Sequence, residues 1–389
     1  LKTTPLLASM LAAIAAIAGT PASAQSSQSS VTLFGLIDEG IDYTSNVRGH
    51  AVTEMMSGAA QGSRWGLRGT EALGGKLSAV FQLESGVDAS SGRLMEGNRM
   101  FGRQAWVGIA HDDIGTLTFG RQYDSLVEYL APLTANGNWG GFLFEHPYDN
   151  DNTDNSFRLD NAVQFNSANI GGLRVGATYA FSNLPGQIST NNAQSIGVSY
   201  AINGFSFGAA WLNVTNPGAN TLGAVTTDDA GFVASRHRVY GAGVNYQLDA
   251  VTLGFVYTHT NLSDPTAYSY ISGAIVPAGQ HASSLTFDNF EVNANWSITT
   301  ALMLGAMYDY TQAKLDTSAG AYKPKYHTFG LMLDYNLTRR TDIYAMASYQ
   351  RAISANSGTA LDLAYAGGAD DSSSTQRQFV GRVGLRHKF

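Results

Sequence analysis

From Val31 onward, apolar residues recur at every second position. Near the end of the chain Phe379, Gly381, Val383, Leu385, His387 and Phe389 share one parity, and Arg382, Arg386 and Lys388 take the other. Successive side chains of a strand point to opposite faces, so this segment has one apolar and one basic face. Leu173, Val175, Ala177, Tyr179 and Phe181 alternate in the same way, as do Phe290, Val292, Ala294, Trp296 and Ile298, and Leu302, Leu304, Ala306, Tyr308 and Tyr310. Two architectures give this pattern. A soluble sandwich turns its apolar face to a core, whereas a membrane barrel turns it to lipid and keeps polar residues in the lumen. Segment length decides between them. The pattern predicts strands over 31–43, 63–71, 76–88, 98–110, 115–123, 158–168, 173–182, 193–202, 205–213, 234–247, 251–262, 285–298, 301–313, 325–337, 342–353 and 375–389. These exceed the five or six residues typical of soluble strands and suit the roughly 9–11 tilted residues that cross a bilayer. Aromatics such as Tyr43, Phe181, Tyr200, Tyr246, Tyr310, Tyr335 and Tyr349 lie near segment ends, as interfacial girdles require.

The connections alternate between short turns, such as Asn203-Gly204 and Thr299-Thr300, and long stretches rich in Gly, Asn, Ser, Thr and Asp. Short periplasmic turns against long external loops are the expected asymmetry of an outer-membrane barrel. The fold class expected is therefore all-β: a 16-stranded antiparallel transmembrane barrel, with both termini on the periplasmic side.

Composition narrows the functions. Charged residues are 14% of the 389 and hydrophobic residues 44%, with 43 Gly and no Cys. Without Cys there are no disulfides, thiolate nucleophiles or Cys-ligated metals. A net charge of -7 lacks the basic footprint of nucleic-acid binding. The first residues read as an export signal. Lys2 precedes an apolar run from Leu6 to Ala18, and Ala22-Ser23-Ala24 supplies a small-residue cleavage pattern. The expected organisation is a signal peptide at 1–24 and a single barrel domain at 25–389.

Several stretches resemble the general porins of Gram-negative bacteria, in particular the trimeric type of beta-proteobacteria. They are VTLFGLIDEGIDY from Val31, GSRWGLRGTEALGGKLSAVFQLESGVD from Gly62, RQAWVGIAHDDIGTLTFGRQYDSL from Arg103, and the terminal GLRHKF. The resemblance implies a water-filled outer-membrane barrel, a homotrimer among outer-membrane lipid and lipopolysaccharide, and passive diffusion of ions and small hydrophilic solutes. It also implies an inward-folded constriction loop after the fifth strand. Phe389 would be the assembly signal read by the barrel-assembly machinery.

The longest connection, Asp124 to Phe157, matches that loop. It holds Asp124, Glu128, Glu145, Asp149, Asp151 and Asp154 with no Lys or Arg, and would give the narrow zone one acidic side. The opposite wall should be basic. Arg64 and Arg68 share a parity facing away from Trp65 and Leu67, and the family carries basic residues at the positions matching Arg64, Arg68 and Arg121. Simple alternation would aim Arg121 at lipid, so either Gly120 makes a bulge or Arg121 lies at a strand end. Arg99 and Arg103 pose the same conflict, with Gly102 available for a bulge. Gln164 stands where relatives often carry a basic residue. Opposed charges would set a transverse field across the opening, and the resemblance tips the expected selectivity toward weak anion preference.

Rival chemistries find little support. Gly204-Phe-Ser206-Phe-Gly208 matches a nucleophile elbow but opens an alternating strand, where the motif needs a strand–turn–helix. Asp149, Asp151 and Asp154 resemble part of a calcium loop, without its Gly and Glu. The eight His are scattered. No enzyme, metal or cofactor is expected. The alternative function is a substrate-specific channel for a sugar or organic anion; the sugar version calls for a ladder of lumenal aromatics.

Overall fold

The computed structural model describes residues 29–389; the export signal expected at 1–24 lies outside the described residues. Sixteen antiparallel strands close into a barrel. They are β1 (Ser30–Val47), β2 (Arg64–Gly74), β3 (Leu77–Asp88), β4 (Gln104–His111), β5 (Gly115–Gln122), β6 (Leu159–Ser167), β7 (Leu173–Ala180) and β8 (Ala193–Ile202) in the first half. The second half comprises β9 (Phe205–Thr215), β10 (Arg236–Leu248), β11 (Val251–Ser263), β12 (Ala282–Ser297), β13 (Leu302–Thr317), β14 (Lys325–Asn336), β15 (Thr341–Ile353) and β16 (Arg377–Lys388). Each pairs with its sequence neighbours, and β1 closes the ring by pairing Leu36–Thr44 with Lys388–Val380 of β16. Closure removes both sheet edges, which is what allows a sheet to stand in hydrocarbon.

Exposure is inverted relative to a soluble protein. Ile41 and Ile196 are 53% and 57% exposed, whereas Asp42, Thr258 and Asp309 are fully enclosed. The apolar parity therefore faces outward all round the ring, as the lipid-facing reading of the alternation requires.

Two local expectations differ from the structure. The predicted strand 98–110 begins only at Gln104; residues 98–103 belong to a loop in which Glu96 and Asn98 adopt positive φ. Arg99 and Arg103 therefore precede the strand, and their apparent conflict with lipid disappears. The stretch 44–62, expected as a loop, contains a further strand, His50–Ser57, which pairs with Glu39–Val47 of β1. After it, residues 58–63 turn into the lumen before β2 resumes the wall.

The long segment from Asp124 enters the barrel as a short helix, α1 (Ser125–Tyr129), whose N-cap is Asp124. It then runs across the lumen along the inner wall. Its large side chains land on strand glycines. A Cβ on Gly197 would lie 2.5 Å from Tyr129, one on Gly330 would lie 2.6 Å from Phe144, and one on Gly305 would run into the Trp139 ring. A strand glycine with no side chain permits this close approach. The inward glycines of β7–β14 are thus the imprint of the loop.

Candidate pore constriction

The loop is fastened to the far wall by polar contacts. His146 Nδ1 lies 2.6 Å from Asp151 Oδ2, and its Nε2 lies 3.2 Å from Glu291 of β12. Thr258 donates to Asp151 at 2.5 Å, the Ala135 amide donates to Glu291 at 2.8 Å, and Asn293 donates to the Leu133 carbonyl at 3.0 Å. Burial opposes a charged imidazole, but the Asp151 and Asp309 carboxylates hold His146 well above the usual histidine range. The same contact holds Asp151 down at about 2 although burial would raise it. Two charges buried together are retained when each satisfies the other.

What remains open beside the loop is a cavity of about 470 Å³. Arg64, Arg103, Tyr123 and Arg158 line it from the barrel wall, Ala59–Gly62 from the inward turn, and Asn136–Trp139 and Thr153–Asn155 from the loop. Arg386, Lys388 and Asp334 line its remaining wall. Arg103 donates to Glu84 at 2.7 Å and to the Tyr123 hydroxyl at 3.0 Å. The Arg158 guanidinium stacks 5.8 Å from the centre of the Tyr123 ring and lies 3.6 Å from Glu96. Arg64 lies 3.8 Å from Glu84. Three guanidinium groups thus share Glu84 and Glu96 as their near carboxylates.

The other expected basic residues lie elsewhere. Arg68 lines a neighbouring cavity and sits over the Phe34 ring at 5.2 Å. Arg121 is re-aimed by a register shift between Gly120 and Gln122, with Gly120 at φ 138°. Its guanidinium binds Asp160 and Asp229 at 2.7 Å, and Arg99 joins the same Asp229 at 2.9 Å. Both arginines pin the 216–231 loop to the wall and are absent from the cavity lining. Arg158 is the cavity residue that reading the sequence passed over. Its signal is its place at the end of the acidic loop, just before β6.

Of the six loop acids, Asp154 alone lines the cavity. Burial and the neighbouring Asp149 charge push its carboxyl well up. Asp124 caps α1, accepting from the Leu126 amide at 2.6 Å. Asp149 accepts from the amides of Asp154 and Ser156 inside the loop. Asp151 faces His146, Glu145 is buried within the loop, and burial raises the Glu145 and Asp149 carboxyls, the latter to about 7. Glu128 lines a separate wider cavity of about 940 Å³ with Arg174. The inward acids of the wall are mostly spent on cations: Arg382 on Asp38 and Asp42, and Arg386 on Asp334 and Asp342.

A closed barrel with an inward loop and a charged eyelet is the geometry of a channel. The sequence profile of Gram-negative porins matches residues 11–353. The chain belongs to the Gram-negative porin family. The porin is 31% identical over 411 aligned residues to an outer membrane porin protein of Bordetella pertussis, spanning 100% of both chains. It is 27% identical over 374 residues to outer membrane porin protein 32 of Delftia acidovorans, covering 93% of the porin and 94% of that protein. Among solved structures, the anion-selective porin from Comamonas acidovorans shares the fold with a TM-score of 0.68 at 21% identity, covering 93% of this chain and 100% of that one. An outer-membrane OmpT of Vibrio cholerae superposes with a TM-score of 0.64 at 16% identity, covering 94% and 99%. The porin is thus an outer-membrane channel protein whose barrel spans the membrane.

Proposed function

We propose that the porin passes ions and small hydrophilic solutes passively and favours anions, with Arg64, Arg103 and Arg158 as the filter. The observation that carries this is the lining of the narrow cavity: Arg64, Arg103, Arg158, Arg386 and Lys388 against Asp154 and Asp334. Asp334 is matched by Arg386 at 3.1 Å, and Asp154 has its carboxyl pushed up by burial. Glu84, Glu96 and Asp342 pair with these same cations, so the positive balance is narrow and is carried by the raised Asp154 carboxyl, although the whole chain is negative. In a narrow opening with low-dielectric walls, nearby charge counts most, because loop charges more than about 8 Å away are screened. The Comamonas acidovorans neighbour is an anion-selective porin, in agreement with this reading. Arg68 adds positive charge on the approach, and Arg99 and Arg121 act as struts. The loop acids other than Asp154 hold the loop in shape.

The working unit in this reading is a homotrimer. A signal peptide at 1–24 is removed before the 25–389 barrel assembles, and Phe389 is the mark recognised by the assembly machinery. The transported solute is unchanged, so no catalytic group or cofactor enters the mechanism. The aromatics lining the eyelet are Tyr123, Trp139 and Phe142, few beside its polar and charged groups, which favours a general channel over a sugar-specific one. The test is the zero-current potential in a salt gradient across a planar bilayer. A potential of cation sign for the wild type, or no cationward shift on Arg64→Glu, would overturn the filter assignment.

A further inference from the structure

Asp38 holds more than its own strand. It is fully enclosed on the inward face of β1, and the turn at 58–63 is built around it. Its carbonyl accepts from the Gly58 amide at 2.7 Å and from the Ser63 hydroxyl at 2.9 Å. Its amide donates to the Ser63 hydroxyl oxygen at 3.0 Å, and its Oδ2 accepts from the Gln61 amide at 2.7 Å. Both ends of the turn and its crown are therefore fixed on one residue. The other carboxylate oxygen, Oδ1, accepts from the Tyr344 hydroxyl of β15 and from Arg382 Nη2 of β16, the latter at 3.2 Å. Arg382 stands opposite Asp42 in the strand register. It reaches Asp38 by crossing Gly40, where a Cβ would lie 2.8 Å from the guanidinium carbon.

The turn meets two sides of the opening. On one side the Ala59 carbonyl accepts from the Phe142 amide at 3.2 Å. A Cβ on Gly141 would run into the Ala59 and Ala60 carbonyls, and Gly141 has φ 65°, so the middle of the long loop is shaped to receive the turn. On the other side a Cβ on Gly62 would lie 2.9 Å from Arg103 Nη1, so the turn also backs a filter guanidinium. Gln61 lies between these contacts. It lines both the eyelet cavity and the neighbouring cavity that holds Arg68. Its Oε1 has no hydrogen-bond partner among the described residues. The Gln61 backbone thus carries the tie to Asp38, and its side chain is left to the lumen.

We propose that the turn at 58–63 is a second constriction element that joins the long loop to the basic wall, with Gln61 setting the width of the opening there and Asp38 as its positioning residue. The inference rests on the porin reading and gives that pore a size determinant outside the long loop. The physical basis is the number of acceptors. A carboxylate accepts from Gln61 on one oxygen and from Arg382 and Tyr344 on the other. An amide in its place has one oxygen, so its NH2 group must face either the Gln61 N–H or the Arg382 guanidinium, donor against donor. Asp38→Asn should therefore release the crown of the turn. Asp42 is the control. It pairs with the same buried Arg382 and, among the described residues, makes no hydrogen bond to the turn.

The chain has no Cys, so a single Gln61→Cys can be labelled uniquely. In planar bilayers, a bulky uncharged methanethiosulfonate added to the full-length Gln61→Cys porin should step the single-channel conductance down, and a thiol reductant should restore it. In the Asp38→Asn/Gln61→Cys double variant the step should be markedly smaller. In Asp42→Asn/Gln61→Cys it should match that of Gln61→Cys alone. Influx of an uncharged disaccharide into porin-containing vesicles should rise severalfold in Asp38→Asn and stay at the wild-type level in Asp42→Asn. A barrel merely weakened by loss of a buried carboxylate would treat the two aspartates alike, so equal effects overturn the positioning role. Modification at position 61, verified by mass, without a change of conductance overturns the constriction element. If Asp38→Asn is not recovered folded, Gln61→Ala, which keeps the backbone tie, should conduct more and admit the disaccharide faster; wild-type values for both overturn the proposal. A wild type that carries no current would instead tell against the porin reading itself.

Discussion

In the proposed reading, selectivity comes down to which charges lack a matched partner near the opening. Arg158 stacks on Tyr123 and meets Glu96 only at 3.6 Å, whereas Arg121 is held by two carboxylates at 2.7 Å. The two should therefore respond differently to neutralisation. Arg158→Gln should move the zero-current potential toward cations, by an amount that shrinks as salt rises. Arg121→Gln should leave the potential near wild type and lower the heat resistance of the folded barrel, since it leaves buried Asp229 short of a partner. The opposite assignment of the two effects would show that the filter lies at Arg121. The buried acids of the loop give a pH dependence of definite sign. Burial and the Asp151 charge raise Asp149 from 3.8 to about 7. Its neutral form is the one the folded loop favours, so its contribution is full below the unfolded value and is lost as pH rises through about 7. Asp151, at about 2, matters only in stronger acid. Heat resistance in detergent should thus be greater at about pH 5 than at about pH 8, and Asp149→Asn should flatten the difference. An unchanged slope in that variant would locate the titration elsewhere.

At the scale of elements, the loop and the wall are fitted to each other. Trp139 and Phe144 occupy space left by Gly305 and Gly330, and Tyr129 lies over Gly176 and Gly197. Gly197→Val should push Tyr129 into the lumen or out of its seat, at a cost of about 1–3 kcal/mol for overpacking. The expected readouts are a changed single-channel conductance and a lower dissociation temperature, with the strand content of the far-ultraviolet spectrum unchanged. Conductance identical to wild type would mean that the loop seat does not set the opening. The barrel seam is a second element-level joint. Phe389 exchanges two backbone hydrogen bonds with Gly35, at 3.1 and 3.0 Å, and its ring covers Gly35. Deleting Phe389 should lower the amount of folded protein in the outer membrane while leaving export intact, as read by surface labelling against periplasmic content. Normal outer-membrane levels would count against its role as the assembly mark.

For the whole molecule, stability rests on closure more than on a central core. Every wall strand has a partner on both sides, so no strand can leave without exposing backbone donors and acceptors to hydrocarbon. Apolar packing gathers instead where the inward loop meets the loops of the outer rim. Tyr148 lies there against Phe232, Tyr268, Phe287, Tyr326 and Tyr365, with ring centres 5.2–6.4 Å apart. That cluster fills one side of the lumen. A barrel so closed should stay folded in detergent at temperatures that already separate the subunits of the proposed trimer. Unheated and heated samples on a gel should show trimer, then folded monomer, then unfolded chain; direct passage from trimer to unfolded chain would contradict this order.

The alternation along the chain determined the barrel. Lipid outside and water inside impose a period of two on every strand, so all sixteen wall strands could be placed from the sequence, most within a few residues of their ends. The strand His50–Ser57 and the late start of β4 at Gln104 escaped it. The first lies beyond the predicted end of β1 and is followed by the inward turn at 58–63, and residues 98–103 before Gln104 form a loop, so in both places the run of alternation is interrupted. The acidic loop was also legible, from its length and its lack of Lys and Arg. Which way its charges point was not. A sequence counts carboxylates, but the folded path of the loop, which brings His146, Asn152 and the loop's own backbone amides against them, decides which of them are absorbed inside the loop and which face the opening. Likewise Arg64, Arg103, Arg121 and Arg158 are alike as letters. Only the folded wall gives Arg121 its two aspartates and leaves the other three around the pore, because charge pairing depends on distances that separate strands fix only when the ring has closed.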